Sequence, residues 1–503
     1  MYPDWIVNKS AKNKHGIINR LYTYFNHLAI VKANPRTADY CLQNTLDNAV
    51  TEFEESAEFH VVLLADEFDN KYSSYFSSFK KVQSRSEFES EVKERIYGVD
   101  IVVLLYPDSI GQGFEQIEKI VTREKKKLYA LNGRKRFFEL TPDILKSLKI
   151  RRIFEKYFAL EIITSFLFPF FSIPYFVYEF CTRKLYQRTF RKSLAYDSRQ
   201  SVLTEEIEDT SVINQIKTYW SSRPQTYGAE DGKPVYRDED GTMVSVELGD
   251  NEFFEKVDST FYKWNKPLHR EINGEIIPFG KIFNYEDYKD KNVLEIGCGM
   301  GTMAMNWAQR GALVSAVDLN PVAVEQTKKR FAMKNIPGNI KQVDARKLPF
   351  NENYFNYVYS WGVLHHSPNI KKSMKEIHRV LAPGGRVGLM LYHRNSLLFR
   401  YMVEYTEGFL HFENHFLSQV ELASRYGDGA REEGNPYTFP VTKKEILQEI
   451  MPGFKNVRFK LFGTELEGIL FFLCLRYNKY IPLPLIKSYA RRFGWSMWIE
   501  AEK

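Results

Sequence analysis

The chain has 503 residues, long enough for two or three domains that each bury a core. With 44% hydrophobic and 26% charged residues, it has the make-up of a globular protein and not of a fibrous or disordered one. A net charge of +7, from 70 basic and 63 acidic residues, demands no nucleic-acid partner, whereas 15% aromatics favour apolar pockets or a membrane interface.

The opening residues, Met1-Tyr-Pro-Asp-Trp-Ile-Val7, lack the basic, apolar, small-residue order of a secretory signal. Cys41, Cys181, Cys298 and Cys474 lie far apart without metal-ligand spacing, so free thiols in a reducing cytoplasm are the expectation. Residues 1–150 read as a smaller α/β domain with a parallel sheet, because apolar strands at 60–65, 100–106 and 127–132 alternate with helical periods such as 114–123. The loop 107–113 follows a strand and opens a helix, where such sheets hold ligands, but Gly111 and Gly113 equally suit a plain turn. Residues 151–210 read as a connecting segment. Within it, 162–178 carry no charge and are flanked by Arg151, Arg152, Arg183, Lys184, Arg188, Arg191 and Lys192. Its length, Pro169 and Pro174 argue against a membrane-spanning helix, which leaves an interfacial element on anionic headgroups or an inter-domain packing helix.

The remainder, 211–503, is expected to be one domain with insertions at about 393–440 and 464–490. A helix at 212–220 leads into a stretch, 231–245, that reads as an exposed polar loop. The most informative segment comes next. An apolar strand at 293–296 delivers Glu295 and then Gly297, Cys298, Gly299 and Gly301 to one tight turn, where missing Cβ atoms allow backbone to approach a ligand. Asp318 ends a second apolar strand seventeen residues after Gly301, at a distance suited to gripping two ribose hydroxyls. A third strand, 340–344, ends at Asp344, and the run 354–366 contains Ser360, Trp361, His365 and His366. A helix stop at 381–385 precedes the strand 386–392, and further strands are expected at 456–462 and near 495–500. The G-x-G-x-G spacing departs from the G-x-G-x-x-G of dinucleotide enzymes, which disfavours hydride chemistry.

These motifs resemble the class I S-adenosylmethionine-dependent methyltransferases, in the branch that acts on quinones and small molecules, over about residues 212–503. The resemblance implies a Rossmann-like seven-stranded α/β domain with S-adenosyl-L-methionine as methyl donor. It further implies that Glu295, Gly297, Cys298, Gly299 and Gly301 line the methionine side, Asp318 holds the ribose, Leu319 packs on the adenine, and Asp344 with Ala345 meets the adenine amino edge. Ser360 and Trp361, with the residues on to Val363, would pass beneath the sulfonium. The stretch 221–227 is similar to the lid of such enzymes, with Tyr219 and Arg223 closing over the ligand. Asn356 departs from the family's usual Asp. A general base, where one is needed, is expected among His365, His366, Tyr392 and His393. The aromatic insertions and 162–178 point to an apolar or lipid-like small-molecule acceptor, in a cytoplasmic protein with peripheral membrane contact. A cofactor sensor or scaffold without turnover stays open beside the enzyme.

Overall fold

The computed structural model describes residues 15–21, 58–64, 78–82, 90–94, 96, 101–106, 109–132, 137–158, 210–221, 228–230, 233–237, 243–427, 435–463, 488 and 490–503. The chain divides into two compact units, the first Met1–Leu185 with Phe409–His415, the second Tyr186–Gly408 with Phe416–Lys503. The expected insertion at 393–440 therefore contributes a short piece to the first unit. The segment 162–178, the residue Arg223 and most of the insertion 464–490 lie outside the described residues.

The first unit holds a six-stranded sheet built from His15–Leu21 (β1), Glu58–Leu64 (β2), Ser78–Val82 (β3), Ile101–Tyr106 (β4), Lys127–Asn132 (β5) and Phe137–Glu139 (β6). The order is β3-β2-β1-β4-β5-β6, parallel throughout except for the last pair. Among the described residues, its helices include Glu115–Arg123 (α1) and Pro142–Phe158 (α2). Beyond β4, Gly111 adopts φ +63°, and a Cβ there would fall 2.4 Å from the Tyr106 ring. That glycine is accounted for by the turn's packing alone.

In the second unit, Thr210–Ser221 (α3) precedes a three-stranded antiparallel sheet of Gly228–Glu230 (β7), Lys233–Arg237 (β8) and Met243–Ser245 (β9). The expected polar loop at 231–245 is thus corrected: its strands bury Val235 and Tyr236. The cue was Asp231-Gly232 between β7 and β8, a dipeptide that favours tight hairpins. After Asn251–Trp264 (α4) and the short hairpin Arg270–Ile272 (β10) with Glu275–Ile277 (β11), the main sheet begins.

Its elements run Asn292–Ile296 (β12), Thr302–Gln309 (α5), Leu313–Asp318 (β13), Pro321–Met333 (α6), Asn339–Gln342 (β14), Phe355–Trp361 (β15), Ile370–Val380 (α7), Leu381–Tyr392 (β16), Gln419–Tyr426 (α8), Lys455–Phe462 (β17) and Ser496–Glu502 (β18). The strand order is β14-β13-β12-β15-β16-β18-β17, with only β18 antiparallel to its neighbours. This is the seven-stranded α/β arrangement expected. Because β12 is covered on both faces, its apolar residues are continuous and not alternating. Leu294 and Ile296 join Val358, Val387 and Leu389 on one face, while Val293, Tyr357 and Tyr359 join Trp307 and Trp498 on the other. Around Trp307, the rings of Tyr285, Phe283 and Tyr357 stand 4.6, 5.3 and 5.3 Å away. Each such pair contributes about 0.5–1.5 kcal/mol beyond the burial of its area. Asn356 Oδ1 accepts the Asn292 amide at 3.1 Å, so this departure from the resembling family ties β15 to the start of β12.

Chain direction across the sheet reverses between β12 and β15. Doubly wound sheets bind ligands at that reversal, outside the strand C-termini.

Candidate functional site

A cavity of about 200 Å³ lies at that reversal, bordered by the ends of β12, β13, β15 and by one face of α3. The turn after β12 makes it possible. Gly297, Gly299 and Gly301 adopt φ of +79°, +52° and +75°, values in the left-handed region. A Cβ on Gly297 would fall 2.2 Å from Val363 Cγ2, and one on Gly301 would fall 2.8 Å from Thr327 Cγ2. The turn can therefore reach both β15 and α6 only without side chains. The Gly299 amide is left aimed at β13.

There it donates to Asp318 Oδ2 at 2.9 Å, while the Asn320 amide donates to Oδ1, also at 2.9 Å. One hydrogen bond on each oxygen fixes the carboxylate at the cavity wall and leaves each with further accepting capacity. Burial pushes this carboxyl above its ordinary range, against the pull of the amides of Asn320, Gly299 and Leu319. Leu319, Val343 and Ala345 supply an apolar wall beside it. Asp344 also borders the cavity, but Arg346 grips it: Nη2 lies 2.7 Å from Oδ2, and the Arg346 amide donates to Oδ1 at 2.9 Å.

Helix α3 forms the facing wall. Ile213, Ile216, Lys217 and Trp220 recur at intervals of three, one and three, so they share one face. Asn320 anchors this helix: its Nδ2 donates to Trp220 O at 2.9 Å, and Ser221 Oγ donates to its Oδ1 at 3.0 Å. The same Oδ1 accepts the Val322 amide at 2.9 Å and caps α6, with Pro321 preset for the first turn. One asparagine thus joins the wall helix, α6 and the Asp318 carboxylate. Lys217 brings an ammonium to the cavity, and no acid among the described residues pairs with it. The sequence reading missed Lys217, Asn320 and Arg346. The apolar period of α3 and the Asn-Pro start of α6 were the available signals.

Several expected site residues stand elsewhere. Glu295, Cys298, Gly301, Ser360 and Tyr219 do not line the cavity. Glu295 is buried, its Oε2 lacks a hydrogen-bond partner, and burial pushes its carboxyl up to about 8. Cys298 is a buried free thiol, Sγ 3.7 Å from Thr327 Oγ1. Ser360 Oγ donates to Ile296 O at 2.9 Å and stitches β15 to β12. Tyr219 turns its ring against Trp220, 5.2 Å between centroids. Gly297, Gly299, Asp318, Leu319, Asp344, Ala345 and Trp361 do line it.

Of the four side chains considered as bases, His366 alone borders the cavity. Its Nδ1 lies 2.9 Å from Tyr437 O, an acceptor only, so Nδ1 carries the proton and the basic lone pair sits on Nε2. His365 is buried between Tyr392 and His366, at centroid distances of 3.7 and 4.2 Å, and neither ring nitrogen has a hydrogen-bond partner. Burial holds its imidazole far below the ordinary range and hence neutral. Tyr392 stacks onward against Trp495 at 4.3 Å. His393 packs with Nδ1 3.3 Å from Gly494 O, and burial lowers it to about 4. Which of the two adjacent histidines reaches the cavity is decided by the 3-10 turn Leu364–His366.

Residues 293–385 match the family model described as a methyltransferase domain. A sterol 4-C-methyltransferase of Caenorhabditis elegans is 39% identical over 95 residues, 18% of this chain and 28% of its own length. A 2-phytyl-1,4-naphtoquinone methyltransferase of Nostoc is 27% identical over 187 residues, 35% of this chain and 78% of its own. The chain thus spans less than a third of the first relative and over three quarters of the second. A solved S-adenosylmethionine-dependent methyltransferase from Methanosarcina mazei aligns at 19% identity and TM-score 0.32, over 43% of this chain and 95% of its own.

Proposed function

We propose that the chain, whose residues 293–385 match the methyltransferase domain family model, transfers a methyl group from S-adenosylmethionine to a small, apolar, lipid-like acceptor. The observation that carries the reading is the cavity at the sheet reversal, where an oriented Asp318 carboxylate stands beside apolar walls under α3. The donor set fits an adenosyl ligand: one fixed carboxylate for two hydroxyls, apolar surface for a base, and an ammonium for a carboxylate. When bound, S-adenosylmethionine supplies an electrophilic methyl group on a sulfonium.

In this reading Asp318 accepts from the ribose hydroxyls, Leu319 and Ala345 hold the adenine, and Lys217 meets the methionine carboxylate. Gly297 and Gly299 let the backbone approach. Trp361, Val363 and Trp220 exclude water, which matters because displacement at a methyl group needs alignment more than acid-base help. His366 Nε2 would take the proton from a hydroxyl or acidic acceptor. Glu295, Cys298, Ser360, His365, Tyr392 and His393 would act through the fold around the site.

An apolar acceptor agrees with the lining and with the two relatives whose names specify a sterol and a phytylated quinone. A cytoplasmic protein that touches a membrane through 162–178 would meet such an acceptor at the lipid surface. No helix among the described residues is long and apolar enough to cross a membrane. Incubation with methyl-labelled cofactor and extracted lipids or quinones tests turnover. Label in an extractable product supports an enzyme, and saturable binding without any transfer supports a sensor.

A further inference from the structure

Helix α2 buries two arginines and turns its aromatics outward. Arg151 and Arg152 are 5% and 3% exposed, whereas Ile150, Ile153, Phe154, Tyr157 and Phe158 are 50%, 45%, 46%, 70% and 56% exposed. The inward arginines are fully engaged. Arg152 Nε donates to Ile110 O at 2.8 Å and its two Nη atoms meet Glu118 at 2.8 and 2.7 Å. Arg151 Nε donates to Leu410 O at 3.0 Å, within the same unit, and its Nη1 pairs with Glu155 at 2.8 Å. The rotation of α2 is therefore set by these bonds, and the outward stripe follows from it.

That stripe recurs at intervals of three, one, three and one, so its five side chains form one continuous apolar face. Exposed lysines, Lys149 and Lys156, lie along one flank of it, and Lys156 Nζ stands 5.6 Å from the Tyr157 ring. Immediately after α2 the sequence continues in the same composition. Between Phe158 and Arg183 the only charged residues are Glu161 and Glu179, and five basic residues follow by position 192.

We propose that α2 docks in the plane of an anionic lipid surface, with Phe154, Tyr157 and Phe158 at the acyl boundary and Lys149 and Lys156 among the headgroups. Lysines at the edge of an apolar stripe, long stems beside aromatic rings, match that boundary, where one side is apolar and the other wet and negative. A folded partner would need one shaped pocket, whereas a bilayer accepts both the stripe and the uncharged sequence beyond it. The inference extends to a described element the membrane contact read from 162–178, and it does not depend on methyl transfer.

The test is flotation of the full chain with vesicles of phosphatidylcholine alone or with phosphatidylglycerol. The partner variant is Phe154→Ser/Tyr157→Ser/Phe158→Ser, and binding of S-adenosylhomocysteine serves as the control for an intact second unit. The expected result is flotation with anionic vesicles that weakens with salt, and a loss of at least about tenfold in the variant at unchanged ligand affinity. A parent that stays at the bottom overturns the proposal. So does a variant that floats as well as the parent, which would leave 162–178 as the contact. A dimer in buffer that the same variant splits assigns the face to a second copy and also overturns it. Loss of ligand binding with flotation intact would strike the methyltransferase reading alone.

Discussion

Replacing Gly297 with alanine tests whether the turn after β12 is held open by the absence of a side chain. Alanine at φ +79° incurs about 1–2 kcal/mol of backbone strain. Its Cβ would stand 2.2 Å from Val363 Cγ2, 2.6 Å from Cγ1 and 2.8 Å from Cβ, so Val363 must move, adding about 1–3 kcal/mol of overpacking. The sum, about 2–5 kcal/mol, falls on the second unit. Its urea transition is recognisable as the one that excess S-adenosylhomocysteine shifts upward. Val363→Ala removes both Cγ atoms but leaves the 2.8 Å approach, so in the double variant rescue is partial. A favourable coupling of about 1–2 kcal/mol is expected from the double-mutant cycle. Gly297→Ala within 0.5 kcal/mol of the parent, or strict additivity with Val363→Ala, would refute the packing argument.

Lys217→Ala should weaken S-adenosylhomocysteine by about fivefold, roughly 1 kcal/mol for a half-buried ion pair. It should leave methylthioadenosine, which lacks the carboxylate, unchanged; equal losses for both ligands in calorimetry would remove the assigned role. Glu295 gives a pH dependence. Its folded value of about 8 exceeds the ordinary 4.5, so the fold binds the proton more tightly than the unfolded chain. The resulting stability is complete below about 4.5 and is lost as pH rises through about 8. The second unit should therefore have a lower urea midpoint at pH 9 than at pH 6, and Glu295→Gln should shrink that difference. For proton transfer, His366→Gln should lower the turnover of a hydroxyl acceptor by about 10²-fold or more while cofactor affinity stays within a few-fold, and an unchanged rate would free the histidine from that duty.

Much of the second unit was legible because its central strands are buried on both faces. The runs ending at Ile296 and Asp318 were apolar enough to mark β12 and β13 to within a residue or so, and Gly297, Gly299 and Gly301 could only mean a tight turn. What was not legible depended on rotation and long-range contact. Nothing in the pair His365-His366 says which ring a 3-10 turn will present to the cavity. Glu295 reads as a ligand group by position, yet strand alternation places it away from the face that carries Ile296. Asn320 gains its importance from Trp220 and Ser221, a hundred residues earlier. In the first unit, Ser78–Val82 passes unnoticed because Lys80 and Lys81 dilute its apolar pattern. The outward stripe of α2 is hidden by the same kind of ambiguity, since arginines within an amphipathic period are ordinarily placed in solvent.

The most direct test of the cavity is isothermal titration of the full chain with S-adenosylhomocysteine, comparing the parent with Asp318→Ala. Saturable binding at one site is expected. Asp318→Ala should weaken it by at least about 10²-fold, because two charge-assisted hydrogen bonds of about 1.5–3 kcal/mol each disappear. No heat with the parent, or equal affinity in the variant, would contradict the placement of an adenosyl ligand at the ends of β12 and β13.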